Sequence, residues 1–191
     1  AFTRIPAMFA TAAANYESDT VYGILTANAA LADSVALFHS THANLTGTGT
    51  AIAVTSLGVA RTMMRKQKTI KNVVMNLRPR YLIVPAALET IAAQYVSANY
   101  VANQSSTINP FAGAFEVISE ARLDDNSATA WYLAADPSMI DTIEYCYLEG
   151  QNGVYIETRQ GFDVDGMEIK ARLDFAAKAI DYRGLYKNVG A

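Results

Sequence analysis

His39 and His42 are the only imidazoles in a chain of 191 residues. A spacing of three puts both on one side of a helical turn, where a metal ion can sit if a third ligand joins them. No acidic residue stands at a recognisable ligand spacing, and the segment reads as a loop with local hydrogen bonding. A small metal-dependent hydrolase using His39 and His42 is the catalytic alternative. Gly47-Thr48-Gly49-Thr50 lacks both the Gly-Lys-Ser/Thr ending of a phosphate loop and the further glycine of a dinucleotide fingerprint. Asp163-Val164-Asp165-Gly166 and Asp124-Asp125-Asn126 do not continue into a calcium loop with a closing Glu, and read as turns. Cys146 is the single cysteine, so no intramolecular disulfide and no Cys-rich zinc site is possible. It alternates with Tyr145 and Tyr147 and is expected as a small core residue. No Gly-x-Ser-x-Gly elbow is present. The chain therefore reads as a non-enzyme with no catalytic, cofactor or metal residues.

The charge pattern is more informative. Arg61, Arg65, Lys66, Lys68, Lys71, Arg78 and Arg80 are seven of the 15 basic residues, and all lie within 20 positions. Such clustering is the footprint of nucleic-acid contact or of a surface facing an acidic neighbour. Aromatic interleaving for base stacking is missing apart from Tyr81. A nucleic-acid-binding module using the stretch 61–80 is thus a further alternative. The net charge of −3 argues against the whole chain as a polyanion binder.

The elements that position these residues follow from periodicity. A helix is expected over about 5–28, with Pro6 in its first turn and a stripe of Met8, Ala12, Tyr16, Thr20 and Ile24. It carries so few charges that it needs cover from its own sheet or from a neighbouring chain. Residues 40–54 form a loop. A second helix follows, capped by Thr55 or Ser56, with Leu57, Ala60 and Met64 inside and Arg61, Arg65 and Lys68 outside. Tyr81 to Val84 is a short buried strand, and Pro85 starts a helix whose stripe is Leu88, Ile91, Ala92, Tyr95 and Val96. Residues 99–113 are a loop, and a strand pattern begins at 114. Trp131 to Ala134 is a strand, and Asp136-Pro137 caps a short helical turn. Ile143–Leu148 and Val154–Thr158 flank Glu149-Gly150-Gln151-Asn152-Gly153, a hairpin signal. In the last stretch Met167, Ile169, Ala171, Leu173 and Phe175 face one way. Glu168, Lys170, Arg172 and Asp174 face the other, as a candidate intersubunit strip. Ile180 and Tyr182 break that parity, which a bulge near Ala176 to Ala179 would repair. One strand of about 20 residues is then expected, far beyond the usual length, and with it an extended, flat molecule.

Composition agrees with a packed protein. Hydrophobic residues make up 51% and charged residues 17%, enough to exclude general disorder. No apolar run reaches the roughly 20 residues of a membrane helix. The 11 tyrosines suit half-buried sheet surface or surfaces buried between subunits. The opening Ala1-Phe2-Thr3-Arg4-Ile5-Pro6 has no initiator Met and no signal layout, and is expected to begin a fragment or processed product.

Two stretches carry a family resemblance: Leu77-Arg-Pro-Arg-Tyr-Leu-Ile-Val-Pro-Ala-Ala-Leu-Glu-Thr90, and Gly161 to Asn188 with its core Met167-Glu-Ile-Lys-Ala-Arg-Leu-Asp-Phe175. Between them lie Ala130-Trp-Tyr-Leu-Ala-Ala-Asp-Pro137 and Asp141-Thr-Ile-Glu-Tyr-Cys-Tyr-Leu-Glu-Gly150. Together they resemble the major capsid (major head) protein of tailed bacteriophages, in its Mu-like, prohead-protease-fused branch. The resemblance implies the Hong Kong 97 type capsid fold, an α+β architecture. A peripheral domain (a long spine helix plus long antiparallel strands) would comprise 1–50 and 141–191, with the spine helix at about 5–28. An axial domain of helices around a central sheet would comprise 51–140. The family's N-terminal arm and extended loop have no room here. The implied function is a structural subunit of a phage or prophage head. It would self-assemble into hexamers and pentamers in the virion shell, formed in the bacterial host cytoplasm, with scaffold or prohead protease as assembly partners. The shell encloses double-stranded DNA with at most non-specific contact, and no membrane is involved. In that setting the basic stretch is an intersubunit or DNA-facing surface.

Overall fold

The computed structural model describes residues 4–97, 109–161 and 166–191. It mixes helix and sheet and divides into two units. Unit one is Ala1–Leu25 with Ile143–Lys178, and unit two is Thr26–Thr142 with Ala179–Ala191.

Unit one starts with α1, Arg4–Ala27. Alanine-rich sequence favours this helix, and Pro6 falls in the first turn, where its missing N–H has no helical partner to lose. The expected stripe is turned outward at its start: Met8 is 66% and Tyr16 54% exposed. The covered row is instead Ile5, Phe9, Ala13 and Val21, closing on buried Leu25. Both rows step by four and both carry apolar residues, so periodicity alone does not choose between them.

Strand β4, Ile143–Tyr147, pairs with β7, Phe175–Ala179. Strand β5, Tyr155–Gln160, pairs antiparallel with β6, Met167–Arg172. The expected hairpin across 149–153 is therefore corrected. The turn exists, with Gly150 at φ 77° and Gly153 at φ 94°, but the strands on its two sides pair elsewhere. Turn chemistry sets a local reversal and does not by itself choose partners. The long terminal strand is corrected too. Leu173-Asp174 interrupts it between β6 and β7, and its end becomes β8, Leu185–Asn188, in the sheet of unit two. The inward alternation of Ile169, Ala171, Leu173, Phe175 and Ala177 nevertheless runs through the interruption. β7 ends at Ala179, and Ile180 beyond it donates its N–H to the Thr142 carbonyl at 2.8 Å, so the parity break falls outside the strand. Cys146 is exposed, not a core residue.

Unit two is built on a four-stranded sheet in the order β2-β1-β3-β8. Its members are β1, Pro79–Val84, β2, Glu116–Ser119, β3, Trp131–Ala135, and β8. β1 runs parallel to β2 and antiparallel to β3, and β3 runs antiparallel to β8. Leu82, Val84, Trp131, Leu133 and Tyr186 are buried from the sheet. Leu57, Ala60 and Met64 of α2, Val54–Arg65, close over the same core, with Ala92 of α3, Glu89–Val96, and Phe111. Each large apolar side chain buried there contributes about 1.5–3 kcal/mol of transfer free energy. Trp131 also donates its indole N–H to the Thr50 carbonyl at 3.0 Å, which keeps the ring's polar edge satisfied.

Three local expectations change in detail. Helix α2 is capped at Ala53, and Ser56 sits inside its first turn, with Oγ accepting the Ala53 N–H at 2.9 Å. After Pro85 the chain makes a short 3-10 turn, Ala86–Leu88, before α3. The Asp124 carboxylate accepts the Ala86 and Ala87 N–H groups at 2.7 and 3.2 Å and so replaces an N-cap. Asp136-Pro137 makes a turn without a helix: Asp136 accepts the Ser138 N–H at 2.9 Å, and the backbone closes from Met139 to Asp136. Among the described residues no helix is long and apolar enough to cross a membrane.

Candidate interaction surfaces

The basic stretch is presented by α2 and the segment after it. Leu57, Ala60 and Met64 point into the core, which turns Arg65 outward and leaves Arg61 half-covered. The Arg61 guanidinium stands 4.6 Å from the centre of the Phe111 ring, a cation–π contact. Gln67 is buried and donates to the His42 carbonyl at 2.8 Å, which anchors the chain as it leaves the helix. The next residues form a closed turn. Lys68 bridges Val74, Thr69 N–H reaches the Val73 carbonyl at 2.8 Å, and Asn72, at φ 63°, returns to the Thr69 carbonyl at 2.8 Å. Ile70 at its tip is 93% exposed. Arg80 is bound, with Nη1 2.6 Å from Asp136 Oδ2. Asp136 is held below the usual carboxylate range by bonds from Ser138 first and by Arg80 second. Arg65, Lys66, Lys68, Lys71 and Arg78 are exposed and pair with no carboxylate among the described residues.

The charged strip of 168–174 behaves differently. Glu168 pairs with Arg159 at 2.6 Å and Lys170 with Glu157 at 2.5 Å, each across the β5–β6 register. Arg172 donates to Gln151 at 2.7 Å and lies 3.4 Å from Asp174. The Lys170 hydrogen bond holds Glu157 below its ordinary range. This face has its charges matched within its own ribbon, so it offers a partner little unpaired charge.

The two histidines do not converge on a common point. His39 Nδ1 accepts the Thr41 N–H at 3.2 Å and caps its own 3-10 turn, Ser40–His42. His42 is buried, with Nε2 2.8 Å from Asp33 Oδ2, Nδ1 3.2 Å from the Leu37 carbonyl, and its ring stacked on Tyr182 at 3.7 Å. Asp33 sits below the usual carboxylate range because it accepts the Val35 N–H and, second, because it faces His42. Among the described residues no three His, Cys, Asp or Glu side chains come together as metal ligands. Asp124 caps the turn before α3, while Asp163 and Asp165 lie outside the described residues. The sequence does not single out Asp33 or Tyr182, because their approach to His42 is set by loop folding and not by a repeat.

Each unit has a recess of its own. In unit one a cavity of about 250 Å³ is lined by Glu17, Val21 and Tyr22 of α1 and by Tyr145, Tyr147 and Phe175. The three rings from β4 and β7 stand 5.3 to 6.0 Å apart between centres. The Tyr147 phenol faces the Glu17 carboxylate, whose negative charge pushes the phenol's pKa up. In unit two a cavity of about 420 Å³ lies beside the start of α2, with Thr46, Thr50, Val59 and Tyr186 among its walls. Its polar groups are tied to one another: Thr46 bonds the Tyr186 hydroxyl, and the Asn188 amide donates to Thr50 at 2.9 Å. The Tyr excess pointed generally to such surfaces; the pairing of β4 with β7, which assembles the first recess, has no local signal.

Comparison with known proteins adds three findings. A family model described as phage capsid protein matches residues 1–188. Among curated proteins, none matches the chain. A solved structure from Mycobacterium phage Che8 is similar in fold, with a TM-score of 0.54 at 16% identity. The similarity covers 100% of this chain and 63% of that one, so this chain spans less than two thirds of its length.

Proposed function

The chain belongs to the phage capsid protein family, and on that premise we propose that it forms the shell of an icosahedral phage or prophage head as hexamers and pentamers around double-stranded DNA. The family match across 188 residues carries this reading. Membership supports a structural subunit of the virion head, and such a subunit would associate with copies of itself. The finer assignment is our own: the Hong Kong 97 type fold, in the Mu-like, protease-fused branch. Unit one would supply the peripheral part, with α1 as its spine, and unit two the axial part. The outward Met8–Tyr16 row of α1 supports this, since an uncharged helix face needs a neighbour to cover it. Scaffold and prohead protease would act during assembly in the host cytoplasm. Native mass spectrometry of the expressed protein tests the oligomers. Species of five and six copies are the expected result, and monomer alone at every concentration would contradict it.

One observation favours a second role for the basic stretch. Arg65, Lys66, Lys68, Lys71 and Arg78 have no acidic partner among the described residues, which suits non-specific contact with packaged DNA. Retention on double-stranded DNA that weakens steeply with salt, and weakens further on charge reversal at Arg65 and Lys68, is then expected. No retention at low salt would leave the stretch to protein contacts.

A further inference from the structure

The two units differ in charge. Unit one carries nine acidic and five basic side chains, and unit two carries nine acidic and ten basic. Within unit two the separation is sharper. No Asp or Glu occurs from Ser34 to Leu88, while seven of its ten basic residues fall there. An acid-free span of that length, with five cations unpaired among the described residues, has no way to neutralise itself locally.

The recess of unit one has the opposite character. Its walls are aromatic and aliphatic, and Glu17 is the carboxylate among them. Glu17 faces the Tyr147 phenol and meets no cation among the described residues. Ring faces beside a carboxylate recognise a cation on a carbon stem: the rings attract the charge and cover the stem, and the carboxylate completes the pair. A neutral apolar ligand would leave Glu17 desolvated and unpaired, and an anion would be repelled.

The turn closed by Lys68 and Val74 matches those requirements. Its backbone bonds fix its shape before any partner arrives, so little order is lost on docking. Lys71 lies beside Ile70 at the tip, one a cation and the other an apolar side chain that its own chain leaves 93% exposed. We propose that the turn 68–74 of one copy seats in the aromatic recess of a second copy, with the Lys71 ammonium against Glu17 and the ring faces, and Ile70 against the aliphatic wall at Val21. The inference rests on the self-assembly reading and names one contact within it. Two different patches meet, so the contact is heterologous and generates rings or sheets of copies, not closed pairs.

Site-directed disulfides test it. In a Cys146→Ala background, one tagged copy carries Ser18→Cys, which lines the recess, and a second carries Ile70→Cys. Mild oxidation of the mixture is expected to give the mixed disulfide faster than a control pairing Ile70→Cys with Ala176→Cys, an exposed position on β7. Lys71→Glu should slow it about tenfold by removing the steering charge. Glu17→Lys in the partner should restore the rate. Glu17→Gln, which keeps the size and polarity of the side chain, should slow it less than Lys71→Glu does, and circular dichroism checks that each variant is folded. A mixed disulfide no faster than the control, or a rate indifferent to Lys71→Glu, overturns the contact. If sedimentation still shows oligomers in those mixtures, the contact is wrong and self-assembly stands. If no oligomer forms in any mixture, both fall.

Discussion

At the level of single residues, the two histidines are held by different local partners. His39 and His42 share a spacing that suits a metal, yet the His39 Nδ1 meets Thr41 while the His42 ring meets Asp33, Leu37 and Tyr182. The pair of histidines was legible in the sequence; their partners were not, because hydrogen bonds across a loop leave no periodic trace. His42→Ala should cost about 2 kcal/mol of stability, the usual loss when a buried hydrogen-bonded group is removed, measured by urea unfolding. Asp33 adds a pH dependence. Its folded carboxyl titrates below its ordinary value, so its stabilisation is complete above the ordinary carboxylate range and lost as pH falls through the lower folded value. Asp33→Asn should remove that acid limb, seen as a flatter melting temperature below about pH 4. At the alkaline end, burial pushes the Tyr132 phenol up to about 12. Its stabilising effect is present below pH of about 10 and is lost as pH rises towards the folded value. Tyr132→Phe should therefore delay alkaline unfolding, followed by circular dichroism against pH.

At the scale of elements, what the sequence discloses is periodicity, and what it withholds is pairing. Helix α1 was readable from Pro6 and its row of fours, but two apolar rows compete, and only the packing around Phe9, Val21 and Leu25 selects the inner one. The alternation from Ile169 to Ala177 was readable as well. Its division among β6, β7 and β8 was not, because a period of two is the same whichever strand lies alongside. The basic stretch was plain in the text; the exposure of Ile70 and the burial of Gln67 that frame it were not. Trp131 makes β3 the keystone of the four-stranded sheet, reaching both the core and the Thr50 carbonyl. Trp131→Ala should cost about 3–5 kcal/mol in urea unfolding. Lys170→Ala, on an exposed ribbon, should leave the melting temperature almost unchanged, since solvent-exposed ion pairs stabilise folds little.

For the whole molecule the relevant quantity is association, not fold stability. A head shell is held by many modest contacts repeated by symmetry, so weak individual surfaces sum to a stable particle. In the proposed shell, an acid-free basic span on one unit and an acidic unit beside it in the sequence would give such contacts an electrostatic part. Association should accordingly weaken as salt rises past the point where the screening length falls below about 8 Å, read by sedimentation across a salt series. The most direct measurement is electron microscopy of particles from cells that express the protein together with its assembly partners. Closed shells, or hexamer and pentamer rings, are the predicted result. Dispersed monomers under those conditions would contradict the assignment of this chain to the shell.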